Sequence, residues 1–281
     1  MAIRLPGAHD FADLCDGRCH YRLGGPADGR LLLQLHGATV PGWEFDRLTP
    51  LLNAAGFRTL CPDLYGHGYS ERPRARYSHD LFVRQVVELL DTLGIDTPVD
   101  VIGHSLGAAI AARIAVGRPE RIGSLVMTAP LLDFLALQPA ARVLMIPAIG
   151  EALVHAYVVP MLKRRRSARY QPIDSGRFVQ MYRDQFRVPG FGRALLSMIR
   201  NGSLGNQADC YTALAGTGHP VLVLRGAEDA IFTRAQFDAI TGILPRTRFE
   251  ELPGMGHPMM LTHPQSVAPL VAAFLNGGGW T

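Results

Sequence analysis

A serine hydroxyl becomes a useful nucleophile only when a base takes its proton and an acid orients that base. Three places in this chain carry the residue types for such a relay. Gly103-His104-Ser105-Leu106-Gly107 reads G-x-S-x-G, the pattern of a sharp strand-to-helix turn in which small residues let the backbone crowd together while the serine is held out. Further along, Gly226-Ala227-Glu228-Asp229 offers carboxylates, and Gly254-Met255-Gly256-His257-Pro258 offers an imidazole. The order Ser105, Asp229, His257 is the one expected when the acid and the base sit in loops at the carboxyl ends of later strands. The chemistry is acyl transfer: Ser105 attacks a carbonyl as His257 takes its proton, His257 protonates the leaving group, and water clears the acyl-enzyme.

Such a relay needs strands that end together. Apolar runs at 31–35, 59–61, 100–102, 124–127, 221–224 and 247–252 read as strands, and helical spacing of apolar residues appears at 43–55, 80–93, 106–116, 234–241 and 265–275. This alternation predicts an α/β protein with a mostly parallel central sheet flanked by helices. After Pro130 the alternation stops, leaving helix-like pieces around 134–144, 151–162, 176–186 and 193–199. The expected division is a core of residues 1–130 and 216–281 with a helical insertion over 131–215.

The motifs together resemble the α/β-hydrolase superfamily over nearly the whole chain: His36-Gly37 after a strand, Asp63-Leu64-Tyr65-Gly66-His67-Gly68-Tyr69-Ser70, the turn at Ser105, G-x-x-D at Asp229 and G-x-G-H at His257. The resemblance implies that fold, with the insertion as a helical cap after the sixth strand, and a serine esterase or lipase-like activity. It assigns Ser105, Asp229 and His257 as the triad, with Glu228 and Asp133 as rival acids and His263 as rival base. The oxyanion hole falls to the backbone N–H groups of Leu106 and Ala38, with Thr39 as the fallback for Ala38. His36, Thr39, His104, Met145, Met161, Ile231 and Pro258 are the candidate substrate contacts, and His36, His67 and His104 are also expected to brace loops around the site.

Relatives that act on epoxides or haloalkanes carry Asp where this chain has Ser105, so the expected substrate is a carboxylic ester, extending to lipophilic acyl esters and monoacylglycerols. Hydrolysis of an enol-lactone or of a carbon–carbon bond is the alternative, although carbon–carbon hydrolases are richer in Gly than Ala38-Thr39-Val40-Pro41. A slow-turnover ligand-binding protein that retains the triad is the reading from another class.

Composition bounds these readings. With 281 residues, 48% hydrophobic and 19% charged, the chain can bury one large core, which excludes disordered and fibrous classes. The net charge of +4 comes from scattered Lys and Arg with one run, Lys163-Arg164-Arg165-Arg166, so no nucleic-acid partner is expected. Four dispersed cysteines read as reduced thiols, and residues 1–10 lack the apolar stretch of a signal peptide, which together predict a cytoplasmic protein. Neither a metal-ligand cluster nor a phosphate-binding loop is apparent, so no metal or cofactor is expected, and nothing specifies an oligomeric state. Residues 143–162 are almost wholly apolar but carry Glu151, His155, Pro147 and Pro160. They read as a buried or interfacial helix pair overhanging Ser105, which either lines an acyl tunnel or touches a lipid surface with the basic run in weak contact with headgroups, or else simply packs the insertion onto the core.

Overall fold

The computed structural model describes residues 8–166, 176–244 and 247–277. An eight-stranded sheet runs in the order β1-β2-β4-β3-β5-β6-β7-β8. Its strands are β1 (Ala8–Leu14), β2 (Gly17–Gly24), β3 (Arg30–Leu35), β4 (Phe57–Pro62), β5 (Val99–His104), β6 (Ile122–Thr128), β7 (Val221–Gly226) and β8 (Arg248–Leu252). From β4 to β8 every pairing is parallel, whereas β1 and β2 are antiparallel additions at one edge. The central strands β5 and β7 are buried at every residue, as sheets covered by helices on both faces require, and this is why they read as unbroken apolar runs.

The β1–β2 hairpin has no such run and was not among the expected strands. Its Asp and Arg residues break the apolar pattern, and the usable signal was Asp16-Gly17 at the turn, where Gly17 takes φ 146°. Helical spacing at 43–55 resolves into a 3-10 turn, Gly42–Phe45, and a helix α1, Thr49–Ala54. Pro50 in the first turn of α1 has no N–H to continue a helix from upstream. Helix α2, His79–Thr92, buries Leu81, Phe82, Val86, Leu89 and Leu90 on one face and stops before Gly94 at φ 66°.

Between β6 and β7 the described residues form short helices and no strand. Pro160 does not break the apolar run: α-helical turns at Ile149–Leu153 and Val159–Met161 alternate with wider π turns at Val154–Val158 and Leu162–Arg166. A π turn accommodates a missing N–H that an α turn would leave as a gap. Among the described residues no helix is long and apolar enough to cross a membrane.

The junction of β5 with helix α3, Leu106–Gly117, is the tightest place in the sheet. A Cβ on Gly103 would lie 2.6 Å from the Ala108 nitrogen, and one on Gly107 would drive into the Leu35 carbonyl. Both positions therefore require glycine for space. Gly117, at the far end of the same helix, has no neighbour within 4 Å. Gly107→Ala is expected to lower stability by about 3 kcal/mol or to prevent folding, and Gly117→Ala to change it by less than about 0.5 kcal/mol, read as urea midpoints.

Candidate active site

Parallel strands deliver their carboxyl ends to one edge of the sheet, and the candidate residues follow β3, β5, β7 and β8 there. β3 and β5 are neighbours although β4 lies between them in sequence, and such a switch in strand order opens a crevice at the strand ends. Ser105 occupies it with φ 51° and ψ −110°, a conformation that L-residues avoid. Its N–H donates to the Thr128 carbonyl at 3.0 Å, which fixes the turn to β6. The Leu106 N–H is the first of α3, one of the donors that a helix start leaves without an intrahelical partner.

Asp229 and His257 meet across two loops. His257 Nδ1 lies 2.7 Å from Asp229 Oδ2, while Asp229 Oδ1 accepts from the Ile231 and Phe232 N–H groups at 2.8 and 3.2 Å. Gly226 makes the meeting feasible, because a Cβ there would collide with the Met255 carbonyl of the histidine loop. The Glu228 N–H then donates to that same carbonyl at 2.9 Å. Burial alone would push the Asp229 carboxyl up, but the His257 hydrogen bond and charge and the two N–H groups outweigh it, and it titrates below the ordinary range. An ionised Asp229 accepts the Nδ1 proton, so the lone pair of neutral His257 sits on Nε2.

Ser105 and His257 line one cavity of about 740 Å³, together with Ala38, Thr39, Glu44 and His104 on the sheet side. The opposite wall comes from the segment between β6 and β7 and includes Phe134, Leu144, Leu153, Val158, Met161 and Leu195. Among the described residues no Lys or Arg lines it, and Glu44 is its one carboxylate.

The chain matches the alpha/beta hydrolase family over residues 32–270. It belongs to that family. The hydrolase is 28% identical over 254 residues to a 2-hydroxymuconate semialdehyde hydrolase of Pseudomonas sp. (strain CF600), covering 87% of this chain and 86% of that one. It is 25% identical to a 2-(acetamidomethylene)succinate hydrolase of Mesorhizobium japonicum, over 98% of this chain and 99% of the other. A haloalkane dehalogenase from Bradyrhizobium elkani USDA94 has the same fold, with a TM-score of 0.80 at 22% identity over 96% of this chain and 98% of that one.

The remaining candidates separate cleanly. Thr39, His104, Met161, Ile231 and Pro258 line the cavity. Met145 does not: it lies on a 3-10 turn, Pro139–Met145, where a threefold repeat turns Ala141 and Leu144 inward together and leaves Met145 42% exposed. His36 is also absent from the cavity wall, being wholly buried beneath it. Its Nε2 accepts the Leu64 N–H at 2.8 Å, so Nδ1 carries the proton and donates to the Gly37 carbonyl at 2.8 Å. That carbonyl belongs to the peptide whose other end is the Ala38 N–H. His36 therefore sets the direction of that N–H rather than touching a ligand, and His67 holds the next peptide by donating from Nε2 to the Ala38 carbonyl at 2.8 Å. Of the rivals, Asp133 caps a short helix through the Ala136 N–H, His263 precedes the last helix with Nδ1 on the Thr262 hydroxyl, and Glu228 faces solvent.

Two contributors had no reading from sequence. Glu44 is buried with Oε2 accepting the Gly37 N–H at 3.0 Å and Oε1 3.4 Å from His104 Nε2, and a charge inside the apolar turn Trp43-Glu44-Phe45 was its one visible signal. Gln185, from the segment between β6 and β7, donates from Nε2 to the Thr39 carbonyl at 2.8 Å, a contact 146 residues apart that no local pattern announces. Among the described residues no group of three or more His, Cys, Asp or Glu side chains is placed to hold a metal ion.

Buried neutral histidines make stability depend on pH. Burial pushes His36 down to about 3, with His67 beside it, and burial likewise pushes His79 at the start of α2 down to about 3. In the unfolded chain each takes a proton near its ordinary value of about 6.5, so their stabilising effect is complete above about pH 6.5 and is lost as pH falls toward 3. Each is expected to cost about 1.4 kcal/mol per pH unit in that window, and His79→Phe should remove one proton's worth of the slope, measured as urea midpoints between about pH 6.5 and 4.5.

Proposed function

We propose that this hydrolase cleaves a neutral, apolar carboxylic ester through a Ser105 acyl-enzyme. The observation that carries the reading is the wall of the cavity: Ser105 and His257 open onto a largely apolar space without a Lys or Arg side chain among the described residues. Burying a substrate carboxylate there would leave it unpaired and facing Glu44, at a cost of several kcal/mol. A succinate, the class named for one relative, does not suit such a wall, whereas an acyl chain does.

In the proposed cycle His257, oriented by Asp229, takes the Ser105 proton through Nε2 as the hydroxyl oxygen attacks the ester carbonyl. The Leu106 and Ala38 N–H groups receive the oxyanion, the second aimed by the His36 hydrogen bond to Gly37. His257 then gives its proton to the leaving alcohol, and a water activated by the same nitrogen attacks the acyl-enzyme, releasing the acid and regenerating Ser105. Leu106→Ala keeps the N–H and leaves this chemistry intact.

A second reading, hydrolysis of a carbon–carbon bond beside an activated carbonyl, keeps the same serine and histidine. It is favoured by the relative named for a semialdehyde rather than an ester. Substrates decide between the two. With p-nitrophenyl esters, kcat/KM is expected to rise by roughly fourfold per methylene from acetyl toward octanoyl, the equivalent of about 0.8 kcal/mol per buried CH₂. Ser105→Ala is expected to lose at least about 10⁴-fold and to abolish fluorophosphonate labelling. Preference for acetyl would sink the apolar-ester reading, and a wild type no faster than Ser105→Ala would leave a ligand-binding protein.

A further inference from the structure

Large apolar side chains left in water are not spread evenly over this molecule. Val143, Met145, Ile146 and Ile149 are each at least 40% exposed and Tyr157 60%. All five belong to one stretch between β6 and β7, and Pro147 and Ala148 extend the exposed patch between them. Contiguous exposed apolar surface of this kind marks a binding face rather than ordinary surface composition. The patch is continuous with the active-site cavity, because Val143 and Tyr157 also line it.

Charge identifies what the face fits. From Phe134 to Arg166 the basic residues are Arg142, Lys163, Arg164, Arg165 and Arg166, and the one acid is Glu151. Glu151 is engaged by Arg200. Arg142, Lys163 and Arg164 are exposed. An apolar ridge, a tyrosine that is half exposed, and basic side chains nearby match the layers of an anionic bilayer: acyl tails, interface and headgroup phosphates. The helical turns in the stretch are short and no described helix is built to span, so the contact is peripheral.

We infer that the 143–164 face docks on an anionic lipid bilayer, with the mouth of the cavity turned toward the lipid, so that an apolar substrate passes into the site from the membrane rather than from water. The docking is independent of the chemistry proposed for Ser105 and is read without turnover. The full chain is mixed with vesicles of phosphatidylcholine containing phosphatidylglycerol, or of phosphatidylcholine alone, and sedimented. Binding is expected to the first, weakly to the second, and to fall as salt is raised.

Ile146→Asp with Ile149→Asp is expected to leave the protein in the supernatant. Lys163→Ala with Arg164→Ala should weaken binding to the anionic vesicles roughly thirty-fold, about fivefold for each charge removed. None of these four side chains touches the cavity or the turn at Ser105, so both variants should hydrolyse a short water-soluble ester as wild type does. Wild type that ignores anionic vesicles, or an Asp variant that still sediments with them, overturns the proposal. So does a wild type whose patch is covered by a second copy, seen as a dimer by light scattering that Ile146→Asp with Ile149→Asp converts to monomer.

Discussion

The backbone at Ser105 sits where an L-residue gains nothing by sitting, at φ 51° and ψ −110°, and a conformation of this kind costs on the order of 1–3 kcal/mol. It persists because its surroundings leave it no alternative. β5 is hemmed by β3 and β6, α3 starts at the next residue, and the Ser105 N–H and carbonyl are both engaged, with Thr128 and with the Leu131 and Ala108 N–H groups. The absence of side chains at Gly103 and Gly107 brings α3 down onto the end of β3. The same contact that forces the serine out therefore fixes the distance between α3 and the residues following Leu35. The turn at Ser105 and the His36-Gly37 turn are one packed unit, and neither can be repositioned alone.

A second packed unit stands opposite it. Gly226 admits the backbone of the histidine loop, Asp229 is saturated by two N–H groups and His257, and the imidazole lies between Phe232, 5.4 Å away centroid to centroid, and His104 at 4.6 Å. The ring is thus restrained in plane by its hydrogen bond and out of plane by aromatic neighbours. His104 connects the two units, since it precedes Ser105 in the chain, packs against His257 with the ring planes tilted by 58° and approaches Glu44 through Nε2. Rigid strands beneath and side-chain contacts above are what a preorganised site needs.

What sequence reveals of this arrangement depends on the range of the interaction. Motifs whose residues act through local geometry were legible: glycines spaced around Ser105, glycines before Asp229 and His257, and apolar runs for strands buried on both faces. The N-terminal hairpin was illegible by hydrophobicity because it lies at the sheet edge with charged side chains, and only its Asp16-Gly17 turn announces it. Side-chain direction in irregular helix was the other failure. Met145 and Met161 are equally apolar in sequence, but a 3-10 turn sends the first to solvent and a run of α and π turns sends the second to the cavity. His36 shows the converse, a residue next to the site in sequence whose value lies in the peptide it aims. Glu44 and Gln185 act across long stretches of chain, where no periodicity reaches.

Glu44 is the feature that separates this cavity from a merely greasy one. A carboxylate beside the place where an oxyanion would form opposes that charge, unless its own is held elsewhere. Here one oxygen accepts the Gly37 N–H and the other lies 3.4 Å from His104 Nε2, so both oxygens are engaged by protein groups. Among the described residues the wall offers no Lys or Arg to pair with an anion entering the space. Such a wall accommodates a neutral, apolar group at less cost than a carboxylate.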